Sequence, residues 1–117
     1  MTALIDHLSE LGAGIPGLAF KRMFGGWGMF SDGRMFGLIA RDIVYLKCDA
    51  ETSPLFDAEG LEPFEYDTKS GKHTQMAYRR LPERCLDDAE EFRLWAGHGI
   101  AVAARAATKA AKPRAKR

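Results

Sequence analysis

The sequence is poor in the residues that build metal and redox sites. It has two cysteines, Cys48 and Cys85, and three histidines, His7, His73 and His98. Cysteines this far apart form no CxxC pair, and two do not make a disulfide framework. A reducing compartment fits. Cys48 alternates with Val44 and Leu46 and reads as a small buried hydrophobe. The histidines share no metal-ligand spacing and no HExxH occurs. No metal and no other cofactor is therefore expected. A Cys–His pair such as Cys48 with His73 would have to meet in space rather than in sequence.

Long apolar runs are also missing. None approaches the roughly 18 residues of a membrane span. Met1 to Leu11 carries Asp6 and Glu10 and no basic residue, unlike a secretory leader. The expectation is a cytoplasmic protein that engages no membrane. Nucleotide loops are incomplete. Ser70-Gly71-Lys72-His73-Thr74 lacks the first glycine of a phosphate loop, and His73 stands where Ser or Thr should follow the lysine. The tip of a β-hairpin is the better account. Gly25-Gly26-Trp27-Gly28 lies between two strand-like segments, whereas cofactor glycines lie between a strand and a helix. These glycines permit a bulge or sharp turn.

What is present is ordinary for one globular domain. The 117 residues are 46% hydrophobic and 28% charged, enough for one core and not two. The net charge of +1 hides an asymmetry. Six basic residues and no acid lie from Arg105 to the end. The first 104 residues hold eleven Lys/Arg against sixteen Asp/Glu. An acidic body with a basic tail is a pattern that can seek polyanions, or can simply be a solvated end.

Leu4, Ile5, Leu8 and Leu11 make one face of a helix that Gly12 and Gly14 end. Phe20 to Phe24, Trp27 to Ser31, Met35 to Ala40 and Ile43 to Cys48 read as an antiparallel meander. Asp32-Gly33 and Arg41-Asp42 turn it. Connections this short exclude parallel crossovers. Ser53-Pro54 reads as an N-cap with proline behind it, and Gly60 as the C′ residue of a short helix. Phe64 and Tyr66 form a strand, residues 67 to 74 a polar loop, and Gln75 to Arg79 a strand with Met76 and Tyr78 on one face. Asp87 with Glu90 has capping-box spacing, and Asp87-Asp88 and Glu90-Glu91 suit the positive end of a helix. Phe92, Trp95, Ala96, Gly99, Val102, Ala103 and Ala106 then share one helical stripe. Gly97 and Gly99 either admit a close neighbour or mark a bend. The fold class is α+β. It is a two-layer sandwich, an antiparallel sheet of about five to six strands packed by an N-terminal helix and a long C-terminal helix.

Lys21-Arg22-Met23-Phe24-Gly25-Gly26-Trp27-Gly28-Met29-Phe30 resembles the N-terminal domain of the TfoX/Sxy family of bacterial competence regulators. Asp32 to Ala40, Val44 to Lys47, Phe64 with Tyr66, Met76-Ala77-Tyr78 before Leu81-Pro82, and the Asp87-to-Ala111 helix extend the resemblance over roughly residues 19 to 112. It implies one domain over residues 1–112, with 113–117 a basic flexible tail. It also implies a regulator rather than an enzyme, with no catalytic residues to carry over. Full-length members act with the cyclic-AMP receptor protein at promoters and carry a second, C-terminal domain. A short basic tail stands in that place here, so the resemblance is to a stand-alone form.

The leading expectation is a non-enzymatic module that binds a protein partner, a transcription factor of the cyclic-AMP receptor protein type. The candidate contacts are Arg22, Trp27 and Phe30. Heavy aromatic and methionine content in this hairpin leaves some rings facing outward. A second reading is sequence-independent nucleic-acid binding through Lys109, Lys112, Arg114, Lys116 and Arg117. No aromatic lies in that tail to stack on bases. A third is a small ligand held between sheet and helices. A homodimer through an edge strand or the last helix is compatible with all three.

Overall fold

The computed structural model describes residues 2–23, 25–68 and 70–111. Within these, the side chains of 2, 66–68, 72–76, 110 and 111 are not described. Phe24 and the terminal residues Lys112, Arg114, Lys116 and Arg117 lie outside the described residues.

Helix α1 spans Thr2–Leu11. Four strands follow: β1 Ala19–Met23, β2 Gly26–Ser31, β3 Arg34–Ala40 and β4 Ile43–Lys47. Helix α2 is Ser53–Ala58, β5 is Pro63–Thr68 and β6 is Gly71–Arg80. A single 3-10 turn, Glu83–Leu86, leads into helix α3, Ala89–Ala111. The six strands form one antiparallel sheet in the order β1-β2-β3-β4-β6-β5. This is the expected α+β arrangement, with six strands.

The turns follow from their residues. Asp32 and Gly33 both have positive φ, 50° and 82°, as a two-residue hairpin loop requires. Arg41 and Asp42 do the same without a glycine, at 52° and 64°. At the end of α2, the Leu61 N–H donates to the Phe56 carbonyl and the Gly60 N–H to that of Asp57. This is a Schellman close with Gly60 at C′, as the sequence predicts.

Three local expectations need correcting. Residues 67 to 74 are not a loop, because β5 runs to Thr68 and β6 starts at Gly71. Their alternation is polar, and a strand that pairs only with one edge neighbour carries no apolar signature. His73 therefore lies on a strand, opposite Tyr66. The N-cap of α2 is Thr52, not Ser53, and it makes no side-chain cap bond. Asp49 caps the preceding turn instead. Its Oδ1 accepts from the N–H groups of Glu51 (3.0 Å) and Thr52 (3.2 Å), while Thr52 Oγ1 accepts from the Asp49 N–H (3.1 Å). The cap of α3 is Asp88, not Asp87: its Oδ1 accepts from Glu90 and Glu91 N–H. Glu91 turns away to pair with Arg84 (3.0 Å).

Periodicity decides which face is buried. Along β4, Val44 and Leu46 are buried while Ile43, Tyr45 and Lys47 are half-buried. The inward set joins Met29, Phe36 and Ile39 with Leu8 and Leu11 of α1, Phe56 of α2, and Phe92, Trp95 and Ala96 of α3 in one core. Burying such a side chain is worth about 1.5–3 kcal/mol. Phe56 and Trp95 meet edge to face at 5.2 Å, locking α2 to α3. On the α3 stripe Ala106 is exposed rather than buried. Gly99 is buried, and a Cβ there would stand 2.9 Å from the Phe36 carbonyl, so this glycine lets the helix approach β3. Gly97 faces open space.

Candidate functional site

The hairpin that carries the three candidate contacts is built on a close approach. Gly25 (φ 78°) turns the chain between β1 and β2. Gly26 then passes so close to β3 that a Cβ would strike the Ile39 carbonyl. Arg22 lies directly across from Trp27, with its guanidinium 5.4 Å from the indole centroid. Trp27 is half-buried against the core, on the helix side of the sheet. A small hollow of about 150 Å³ beside it is lined by Leu4, Ile5, Gly25, Arg41 and Asp42 among others.

Phe30 does not join this pair. Phe30 is three residues from Trp27 on the same strand, so alternation places it on the other face. The ring lies over Gly28, where a Cβ would come within 3.0 Å of Phe30 Cε1 and 3.2 Å of Met23 Cε. Gly28 pairs with Leu38, which pairs with Tyr45, so all of these point away from the helices. The structure thus divides the three residues: Arg22 and Trp27 on the helix side, Phe30 on the opposite face.

That opposite face is the feature the sequence reading did not assemble. Leu38 and Ala40 of β3, Ile43 and Tyr45 of β4, and Tyr78 and Arg80 of β6 alternate with core residues and point away from the helices. Tyr45 and Phe64 meet edge to face at 5.0 Å. Lys21 Nζ lies 4.8 Å from the Phe30 ring centre, and Lys47 Nζ lies 5.2 Å from that of Tyr78. None of these rings belongs to the core. The signal was present in the alternation of β4, but which lysine meets which ring depends on cross-strand register.

Where α3 passes the end of β4, a hollow of about 320 Å³ is ringed by Cys48, Asp49, Glu51, Val102, Arg105 and Lys109. Its Asp49 and Arg105 are paired with each other. Arg105 Nε donates to Asp49 Oδ2 at 2.9 Å and Nη2 to Oδ1 at 3.1 Å. The Arg105 hydrogen bond holds the Asp49 carboxyl below the usual carboxylate range, against partial burial. The folded value lies below the unfolded one, so the pair adds stability above about pH 4 and loses it as the pH falls through the folded value. Both side chains are about one-third exposed, so the effect is small. Arg105→Ala should lower the thermal midpoint at pH 7 by no more than about 3 °C. As the pH falls through the folded Asp49 value, the gap between variant and parent should close. A gap that persists in acid would assign the loss to packing.

Among the described residues, no three His, Cys, Asp or Glu side chains group as metal ligands. Both cysteines are free and buried. Burial pushes the Cys85 thiol up to about 11, so it is protonated at neutral pH and a poor nucleophile. The side chain of His73 is not described, so its pairing with Cys48 is not either. His7 donates from Nε2 to the Leu86 carbonyl at 2.6 Å, and His98 packs against Trp95. Among the described residues, no helix is long and apolar enough to cross a membrane. Of the tail candidates, Lys109 is exposed on α3. Lys112, Arg114, Lys116 and Arg117 lie outside the described residues.

Residues 10–103 match the family model described as the TfoX N-terminal domain. The match takes in the end of α1, the whole sheet and most of α3. A comparison with curated proteins found no match.

Proposed function

The chain belongs to the TfoX N-terminal domain family, and on that premise we propose that it is a non-enzymatic regulatory module of the competence and transcription type. It works by binding a protein partner through the β1–β2 hairpin. The observation that carries this reading is the Arg22–Trp27 pair, in which Arg22 lies on the edge strand β1 and Trp27 on β2 directly across from it. Tryptophan and arginine are the residues that most often anchor interfaces. Here the indole is held by the core, so little freedom is lost when a partner covers it. β1 has a neighbour on one side only, which leaves its other side available for a partner's strand. The family context supports a transcription factor of the cyclic-AMP receptor protein type as that partner.

Titration calorimetry of the full chain against such a purified factor, loaded with cyclic AMP, is the test. Arg22 is exposed, so Arg22→Ala should fold normally and bind about tenfold or more weakly. Phe30→Ala, on the opposite face, should change affinity by less than about twofold. Equal affinity for Arg22→Ala and the parent would remove the hairpin from the interface.

A further inference from the structure

The open face of the sheet has a composition that neither the hairpin reading nor the tail accounts for. Strands β1, β2, β3, β4 and β6 contain no Asp or Glu at all. The acids of the sheet are confined to the edge strand β5. On the outward side, cations and rings alternate. Lys21 sits by Phe30, Lys47 by Tyr78, and Arg80 directly across from Tyr45. The acidic body inferred from net charge is therefore not acidic here.

We propose that this face binds single-stranded nucleic acid, stacking bases on Phe30, Tyr45 and Tyr78 while Lys21, Lys47 and Arg80 neutralise phosphates. Stacking is tolerant of sequence because every base has a π-face, and a charged groove beside the rings tracks the backbone. Tyr45 and Tyr78 are diagonal neighbours on adjacent strands, and Phe30 is two strands across from Tyr45, about 10 Å, and two residues further along the strand. Beside them a hollow of about 210 Å³, bounded by Met23, Met35, Leu38, Ala40 and Phe64, offers an apolar seat for an unstacked base. A duplex keeps its bases stacked on one another and cannot use these rings. A second copy of the chain is a poor occupant. A two-fold contact sets a patch against itself. It would press Lys21, Lys47 and Arg80 against a face whose central strands hold no acid. The tail lacks rings and the sheet supplies them. Since the hairpin contacts lie on the other side, this inference stands or falls apart from the partner reading.

The test is fluorescence anisotropy of the full chain with a labelled oligothymidylate of about a dozen nucleotides, against a duplex of equal length. Single strand should bind at least about tenfold tighter than duplex at low salt. In a full-length chain carrying Lys112→Gln, Arg114→Gln, Lys116→Gln and Arg117→Gln, binding should persist with a log–log salt slope near about −2, the value for three phosphate contacts. Phe30→Ala and Tyr78→Ala should each weaken binding by about five- to a hundredfold, and Tyr78→Phe should keep it. Lys47→Gln, which leaves the rings in place, should shrink the slope by about 0.7. The proposal is overturned by no binding at low salt, by equal binding of duplex, or by loss of binding on neutralising the tail. It is also overturned if Lys47→Gln and both ring variants bind like the parent. Sedimentation showing a dimer that Phe30→Ala dissociates would assign the face to a second copy instead.

Discussion

Gly26→Ala should lower the thermal midpoint by about 10 °C, equivalent to about 3 kcal/mol for a domain of this size. Gly26 opens β2 across from Met23, and a Cβ on its backbone would run into the Ile39 carbonyl of β3. That oxygen belongs to a central strand. It cannot swing aside without disturbing the ladder in which Trp27 and Ile39 are paired. The backbone of Gly26 is not in the left-handed region, so the cost is contact rather than torsion. Gly25 is the reverse case, with φ 78° and nothing near its absent Cβ. Gly97→Ala is the control. Its Cβ meets nothing within 4 Å on an exposed helical position, so stability rises by up to about 1 kcal/mol. Circular dichroism melts compare the three proteins. If Gly26→Ala melts within about 2 °C of the parent, β2 and β3 do not approach as closely as described.

The same close approach shows how far the sequence could be read. Gly25-Gly26 was legible as a turn, because glycine between strands has few other uses. That Gly26 presses on Ile39 was not, since the contact depends on β3 pairing in one register and not its neighbour. The meander was legible from Asp32-Gly33 and from alternation in β4, both local signals. The β5–β6 hairpin was half lost. Pro63 pairs with Arg79, but Phe64 pairs with Gln75, so the β5–β6 register shifts, and β6 continues beside β5 alone once β4 has ended at Lys47. A polar strand with one neighbour looks like a loop in sequence. Helix caps were misplaced by one residue because Asp87-Asp88 and Thr52-Ser53 each offer two adjacent capping side chains, and only backbone geometry selects between them. The candidate site suffered most. Arg22, Trp27 and Phe30 lie within nine residues, yet cross-strand pairing and strand alternation send them to two faces.

Arg79 and Arg80 carry this point to its energetic consequence. They are adjacent and chemically identical, but the pleat sends one into the protein and the other out. Arg79 is 5% exposed. Its Nε and Nη2 donate to the Leu61 carbonyl at 3.0 and 2.7 Å, Nη1 to Ser53 Oγ at 3.2 Å, and Nη2 to Asp57 Oδ1 at 2.6 Å. The guanidinium also faces the Phe56 ring at 5.8 Å. One side chain thus ties both ends of α2 to β6. Arg79→Ala should cost about 3 kcal/mol, because it leaves a cavity under Phe56 and the Leu61 carbonyl without its donor. Arg79→Lys should recover only part of this, since an ammonium cannot serve three partners in a fixed fork. Asp57→Ala should cost about 1 kcal/mol. Asp57 is 67% exposed, and the guanidinium keeps its other acceptors without it. Arg80→Ala should move the urea midpoint least of all, because Arg80 is half-buried on the open face and ties no helix down. Urea titrations of the four variants give this order directly. A midpoint for Arg79→Ala no lower than that for Asp57→Ala would mean that the ion pair, not the carbonyl and the packing, holds α2 in place. With the order as expected, Arg79 is reserved for the fold, and Arg80 is free to be altered on the open face without disturbing it.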